Sequence, residues 1–253
     1  MAKFITLLIN LDGSDDRLVA AKAALDAAGI DFERFPAFDA RGKAPTDFPF
    51  YDNRAAIGFF SRPMTGGEIG CYMSHLQCAQ RLLNSDADYA LVLEDDRTMP
   101  SNGGAVVADL IDHLNAVDPD WEIVNLGRPA HKIATDTGTV HGLTVQAAHY
   151  FPVTTTGLLW SRKGAAAFAA TQGHVYGPVD HFFRRFFTKR GHGFALSPAL
   201  TLPSGAQSEI DVPAAQTRDR PVRGLRYHWI EFRRQAQNYF YAYKNRAAFK
   251  QNQ

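Results

Sequence analysis

The stretch Tyr89-Ala-Leu-Val-Leu-Glu-Asp-Asp96 constrains this chain more than any other. Tyr89 to Leu93 has the length and apolar content of a buried strand, and three carboxylates follow it at once. A buried strand that ends in acids delivers them to the rim of a sheet, and in open α/β sheets the carboxyl rim is where ligands sit. Three adjacent carboxylates repel one another and are costly to hold together without a cation nearby. In extended geometry Glu94 and Asp96 point one way and Asp95 the other. A Glu-x-Asp pair suits a divalent cation that also bridges substrate phosphates, which takes one or two protein carboxylates and little else. The plain alternative is a solvated acidic turn leading to Pro100, and the tripeptide alone does not choose between them.

The chain has 253 residues, 45% hydrophobic and 21% charged, enough for one large domain with a proper core and an appendage. Its charge is uneven. From Pro213 to Gln253 there are nine Lys or Arg against two Asp or Glu, while the rest carries 18 against 24. That shift divides the chain into residues 1–212, the main domain, and 213–253, a basic and aromatic-rich helical extension. The apolar run Phe4 to Ile9 is too short for the core of a signal peptide. No apolar stretch approaches the ~20 residues needed to span a bilayer. Cys71 and Cys78 fall on one expected helix, where a rise of ~1.5 Å per residue separates them by ~10 Å, too far for a disulfide. These features point to a cytoplasmic, reduced setting.

Phe4 to Leu11 reads as a buried strand, Arg17 to Ala28 as a helix stopped by Gly29, and Ile30 to Phe35 as a second strand. This β-α-β opening is the unit of a parallel sheet. No Gly-x-Gly-x-x-Gly or P-loop joins strand to helix, so neither a dinucleotide fold nor a Walker-type NTPase is supported. Residues 41 to 63 read as loop, broken by Pro45, Pro49 and Gly58. Thr65-Gly-Gly-Glu68 is a capping box for a helix running to about Leu83. Its buried stripe is Ile69, Tyr72, Leu76, Ala79 and Leu83, with Glu68, Cys71, His75 and Cys78 beside it. Cys71, His75 and Cys78 make half a zinc site without a closing ligand, and buried small hydrophobes explain the cysteines better. Further helices are expected over 105–117, 162–171 and 181–188, strands over 121–126 and 154–160, and a hairpin about His141-Gly142.

Gly67-Glu-Ile-Gly-Cys-Tyr-Met-Ser-His75, Leu93-Glu-Asp-Asp96, Gly157 to Lys163, Pro178-Val-Asp180 and Pro198-Ala-Leu200 together resemble glycosyltransferase family 25. That family contains lipooligosaccharide galactosyltransferases and collagen-modifying enzymes. Ile9-Asn-Leu-Asp12 with Arg17 is similar to its first strand and helix. The resemblance implies a GT-A-like α/β fold, with a mostly parallel central sheet flanked by helices. It also implies a UDP-sugar donor, a glycan acceptor and transfer of one hexose with inversion. The chain departs from the family at Arg17-Leu18, where two basic residues are common, and Gln207-Ser208-Glu209-Ile210 is a loose match that supplies no third metal ligand.

The chemistry these residues suit is consistent with that implication. A sugar leaves a nucleoside diphosphate only if the charge developing there is stabilised, and Mn2+ or Mg2+ held by Glu94 and Asp96 would do so. The acceptor hydroxyl must lose a proton, and Asp180 is the candidate base; capping its helix is the structural alternative. Asn10, Leu11, Arg17 and Asp39 gather at the ends of the first two strands, placed to hold the nucleoside, with Asp95 joining them. Arg17 has a surface alternative in Asp15 or Asp16. His75 reads equally as a donor or phosphate contact and as a hydrogen-bonded core histidine.

In the tail, Leu225, Trp229, Phe232, Ala236, Tyr239 or Phe240, and Tyr243 recur at helical spacing among arginines. Such a helix fits an anionic membrane surface at the inner leaflet, and it equally fits packing on the domain or on a second copy in a homodimer. No domain motif supports nucleic-acid binding. The combined reading is a metal-dependent glycosyltransferase building a bacterial surface glycan such as lipopolysaccharide. The competing class is a non-catalytic sugar-nucleotide or glycan-binding module on the same fold.

Overall fold

Alternation along the central strands decides which helices each one meets. A computed structural model describes residues 3–171, 174–204 and 224–251. Among them, strands β1 Phe4–Asn10, β2 Glu33–Pro36, β3 Tyr89–Glu94, β4 Arg97–Thr98, β5 Ile123–Asn125, β6 Thr135–Val140, β7 Leu143–Ala147, β8 Gly157–Ser161, β9 Gly193–Ser197 and β10 Leu202–Pro203 are formed. The helices are α1 Asp15–Ala27, α2 Asn53–Phe60, α3 Gly66–Leu83, α4 Gly103–Val117, α5 Arg162–Ala169, α6 Val179–Arg190 and α7 Leu225–Gln251.

Eight strands make a mixed sheet in the order β2-β1-β3-β8-β5-β9-β7-β6. Only β7 and β8 run against the other six, so most of the sheet shares one direction. On β3, Ala90 and Val92 face a core built with Ile69, Tyr72 and Leu76 of α3 and with Phe168, Phe182, Phe183 and Phe187 of α5 and α6. Leu91 and Leu93 face the opposite core, built with Ala21 and Leu25 of α1 and Val107, Leu110 and Leu114 of α4. Helices thus cover both faces of the sheet, the arrangement of an α/β domain.

The β-α-β opening is present, with β1 parallel to both β2 and β3. The capping box closes as expected: Glu68 N–H donates to Thr65 Oγ1 at 3.2 Å, and Thr65 N–H donates to the Glu68 carboxylate at 2.8 Å. His141 (φ 49°) and Gly142 (φ 78°) take left-handed conformations and turn the chain from β6 into β7, the geometry a two-residue hairpin favours. Both cysteines are free.

One segment differs from expectation. Residues 41–63 are not continuous loop, because α2 lies inside them with Asp52 as its N-cap, accepting from Ala55 N–H at 2.8 Å. The prolines fall before it, and the interior Gly58 weakens a helix without forbidding it.

Helix α7 lies against α6 and α2. Arg185 donates to Gln237 at 2.7 Å, Asn245 donates to the Thr188 carbonyl at 2.7 Å, and Tyr239 packs against Tyr150 with the rings tilted by 52°. Its packed face is Ile230, Arg234, Asn238 and Ala242, whereas Leu225, Trp229, Phe232, Phe240 and Tyr243 are 59–90% exposed. The helix therefore docks through a largely polar face and leaves its aromatic stripe in solvent. The boundary between residues 212 and 213, and the segment Gln207 to Ile210, lie outside the described residues. No helix among the described residues is long and apolar enough to cross a membrane.

Candidate active site

Because Glu94 continues the phase of Ala90 and Val92, it emerges toward α3, and Asp95 emerges toward α1. Each finds a partner there. Glu94 Oε1 stands 3.2 Å from His75 Nε2 and accepts from the Thr155 hydroxyl at 2.8 Å. Burial pushes the Glu94 carboxyl up, but His75 and Thr155 outweigh it and hold the group below the usual carboxylate range. Asp95 is buried, accepts from the Asn10 amide at 2.7 Å and forms an ion pair with Arg17. Arg17 therefore reaches across to the strand end.

Asp96 accepts from Arg97 at 3.1 Å. Burial and the charge of Glu94 nevertheless push its carboxyl above the ordinary value. Glu94 raises the cost of ionising Asp96, and both offer hard oxygen donors, which fit a divalent cation such as Mn2+ or Mg2+. A second donor set overlaps this one: ligand atoms of Cys71, His75 and Glu94 lie within 4.8 Å of one another. Burial, and then Glu94, push the Cys71 thiol well above its usual range, so the thiolate that a soft metal requires is disfavoured. The oxygen pair is the better fit.

Gly66 and Gly70 open the space in front of these acids. A Cβ on Gly70 would stand 2.6 Å from the Phe38 carbonyl oxygen, and one on Gly66 would stand 2.1 Å from that of Ala40. Only glycine lets residues 37–41 lie this close to α3, where Phe38 N–H donates to the Ser74 hydroxyl at 2.9 Å. The result is a cavity of about 700 Å³, lined among others by Leu11, Arg17, Asp39, Arg41, His75 and all three acids. Asp39 binds Arg41 at 2.9 Å, and that guanidinium lowers its pKa. His75 is buried, with an Nδ1 that has no protein partner, and it also lines the cavity.

Asn10 sits behind the wall. Its side chain is taken up by Asp95, the Ser14 carbonyl and Arg34, so it fixes the orientation of Asp95. Asp180 is the second residue of α6; Pro178 is the N-cap, and the Asp180 carboxylate accepts from His181 N–H at 2.7 Å. The capping position expected for Asp180 thus belongs to Pro178. Burial raises the Asp180 pKa; Arg184 one turn on lowers it, and Glu68 and Glu94 raise it, so it lies within electrostatic reach of the cavity's acids. Sequence reasoning missed Arg41, Ser74 and Thr155. The run of three threonines before β8 was the available signal, and the β-branched Thr154 is held at φ 101°, a costly conformation beside the site.

The family model described as glycosyltransferase family 25 (LPS biosynthesis protein) matches residues 4–183. A glycosyltransferase 25 family member of Anopheles gambiae is 39% identical over 95 residues, covering 35% of this chain and 16% of the relative. Human procollagen galactosyltransferase 2 is 26% identical over 134 residues, covering 52% of this chain and 21% of the relative. Procollagen galactosyltransferase 1-B of Xenopus laevis is 25% identical over 216 residues, covering 78% and 35%. The chain therefore spans only 16–35% of the length of these relatives. Among solved structures, a glycosyltransferase involved in glycosylation of the major capsid of PBCV-1 aligns with a TM-score of 0.35 and 11% identity, covering 66% of this chain and 64% of that one. On the match to residues 4–183, the chain belongs to glycosyltransferase family 25.

Proposed function

We propose that this chain transfers a hexose, galactose or glucose, from a UDP-sugar to a bacterial surface-glycan acceptor such as lipopolysaccharide, with inversion. The observation that carries this reading is the convergence of Glu94, Asp95, Asp96, Arg17 and His75 on one cavity at the carboxyl end of β3. The family and the printed names of the galactosyltransferase relatives support the sugar class.

Glu94 and Asp96 would hold Mn2+ or Mg2+, which supplies Lewis-acid neutralisation of the leaving diphosphate. Arg17, anchored by Asp95, places a fixed positive charge in the same cavity. Leu11, Asp39 and Arg41 shape the nucleoside end. Asp180 is the base that takes the acceptor hydroxyl's proton, and its raised pKa brings it closer to the operating range of a general base. Residues 1–212 form the catalytic unit and 213–253 the extension. UDP release across a donor panel with Mn2+ tests the reading: turnover with one UDP-hexose, abolished by Glu94→Ala or Asp96→Ala, is expected. Retained nucleotide affinity with no turnover would instead mark a binding module.

The outward stripe of α7 suits the surface of an anionic membrane. Leu225, Trp229, Phe232, Ala236, Phe240 and Tyr243 follow one another by four, three, four, four and three residues. The mean, ~3.6, is that of a straight helix and keeps the stripe on one line, whereas a left-handed coiled coil with a second copy calls for ~3.5. Arg226, Arg233 and Lys244 flank the stripe and are exposed. The only acid of α7, Glu231, is bonded to Arg234 on the packed side. A cationic border around aromatic residues complements anionic headgroups and repels its own copy.

A further inference from the structure

A second cleft opens where α7 meets the body of the protein. It is lined by Lys132, Tyr150, His181, Arg184, Glu231, Arg234, Gln235 and Asn238. Four of these come from α7 and two from α6. Three are cations and one is a carboxylate, so the lining carries two positive charges in excess.

Among the described residues, Lys132 and Arg184 make no ion pair, and Arg234 makes one with Glu231. Arg234 is nine-tenths buried; one guanidinium nitrogen, Nη2, binds Glu231 at 2.5 Å, while Nη1 is buried without a protein partner. Its guanidinium lies over the rings of Phe59 and Phe60. Lys132 places its ammonium 4.5 Å from the centre of the Tyr150 ring and 5.0 Å from that of Tyr239. Arg184 lies 5.3 Å from the same Tyr150 ring and donates to the Phe151 carbonyl at 3.3 Å. Ring faces orient cations without cancelling their charge. His181 stands among them with its pKa depressed to about 3, by burial and by Arg234 and Arg184, so it adds no charge of its own.

A buried arginine with an unused donor, beside two further cations, fits a compact oxyanion. The location says which reactant carries it. Arg184 lies one helical turn after Asp180 on α6, so the two side chains share a face. His181, next to Asp180 in the chain, and Arg184 both line the cleft, so the cleft adjoins the start of α6 that carries Asp180.

Building on the proposed transferase reading, we propose that this cleft seats a phosphate monoester carried by the acceptor glycan, positioning its hydroxyl at Asp180. The acceptor class is therefore a phosphorylated sugar, and α7 is part of its binding site.

Inorganic phosphate is the probe, titrated calorimetrically into the full-length protein, with no turnover required. Phosphate is expected to bind, with affinity falling about tenfold or more in Lys132→Gln and in Arg234→Gln, while Arg41→Gln in the donor cavity leaves it unchanged. Lys132 is exposed, so its substitution leaves folding intact should Arg234→Gln loosen α7. Equal affinity in Lys132→Gln and wild type, or loss confined to Arg41→Gln, overturns the site. In turnover assays phosphate should raise the KM for acceptor alone; competition with the donor, or none, overturns the assignment to the acceptor. An absence of turnover with phosphate binding intact would strike at the transferase reading and leave the anion site standing.

Discussion

His75 Nε2 and Glu94 Oε1 stand 3.2 Å apart, tying the middle of α3 to the end of β3. Thr155 bonds the same oxygen, which leaves Oε2 of Glu94 as the one available to a cation. The two partners hold a partly buried carboxylate below its usual range, and Asp96 follows in the turn after β3. This arrangement of Glu94 depends on three separate segments of chain meeting at one strand end.

Asp180→Asn should lower kcat by about 10²–10⁴ and leave UDP affinity within a factor of a few. In the wild-type enzyme the acid limb of kcat/KM should fall above 3.8, because burial raises the Asp180 pKa from that value. Steady-state rates between pH 4 and 8 check this. An Asp180→Asn enzyme of full activity removes the residue from the reaction.

Asp96 and Asp180 also make the ligand-free protein less stable at neutral pH. Each carboxyl has a folded-state pKa raised above 3.8, so the folded state binds more protons than the unfolded state once pH passes that value. Stability from this source therefore falls as pH rises from about 3.8 to the folded pKa, and the deficit persists above it. Asp96→Asn should raise Tm by a few degrees at pH 7 without metal, and Mn2+ should raise Tm in wild type but not in the variant. Thermal unfolding at pH 4 and pH 7 reads both effects.

Gly70→Ala should weaken UDP binding by more than tenfold and cost about 1–3 kcal/mol of stability. The added methyl would meet the Phe38 carbonyl oxygen at 2.6 Å and push the wall that carries Asp39 and Arg41. Chemical denaturation and nucleotide titration of the same variant separate the two losses.

How much of this was legible beforehand follows from what each signal depends on. The α/β layering, the capping box of α3 and the hairpin at His141-Gly142 are local patterns of period and cap, and the sequence displays them directly. The extended geometry expected through Asp96 stops at Glu94, because Asp95 and Asp96 form the turn into β4. Which partner waited on each side was not readable, since His75, Arg17 and Thr155 reach the acids only through tertiary packing. Helix α2 was hidden by flanking prolines that do not interrupt it. The stripe on α7 was visible, but its direction was not: burial of Arg234 and Asn238 in place of Trp229 and Phe232 contradicts hydropathy alone.

Helix α7 should bind vesicles containing phosphatidylglycerol and not purely zwitterionic ones, through Trp229, Phe232 and Phe240. Replacing the three by serine should abolish co-sedimentation while circular dichroism and Tm stay near wild type, because those rings are exposed. Equal sedimentation of variant and wild type would exclude the stripe as the contact.

The central claim is that Glu94 and Asp96 bind a cation that binds the nucleotide diphosphate in turn. Calorimetric titration of UDP with and without Mn2+, into wild type, Glu94→Gln, Asp96→Asn and Cys71→Ser, tests it most directly. The account predicts UDP affinity that Mn2+ strengthens by at least tenfold in wild type and Cys71→Ser, with the gain lost in both acid variants. Affinity for UDP that is indifferent to Mn2+ in the wild-type protein, or a Mn2+ gain that survives in Glu94→Gln and Asp96→Asn, would contradict it.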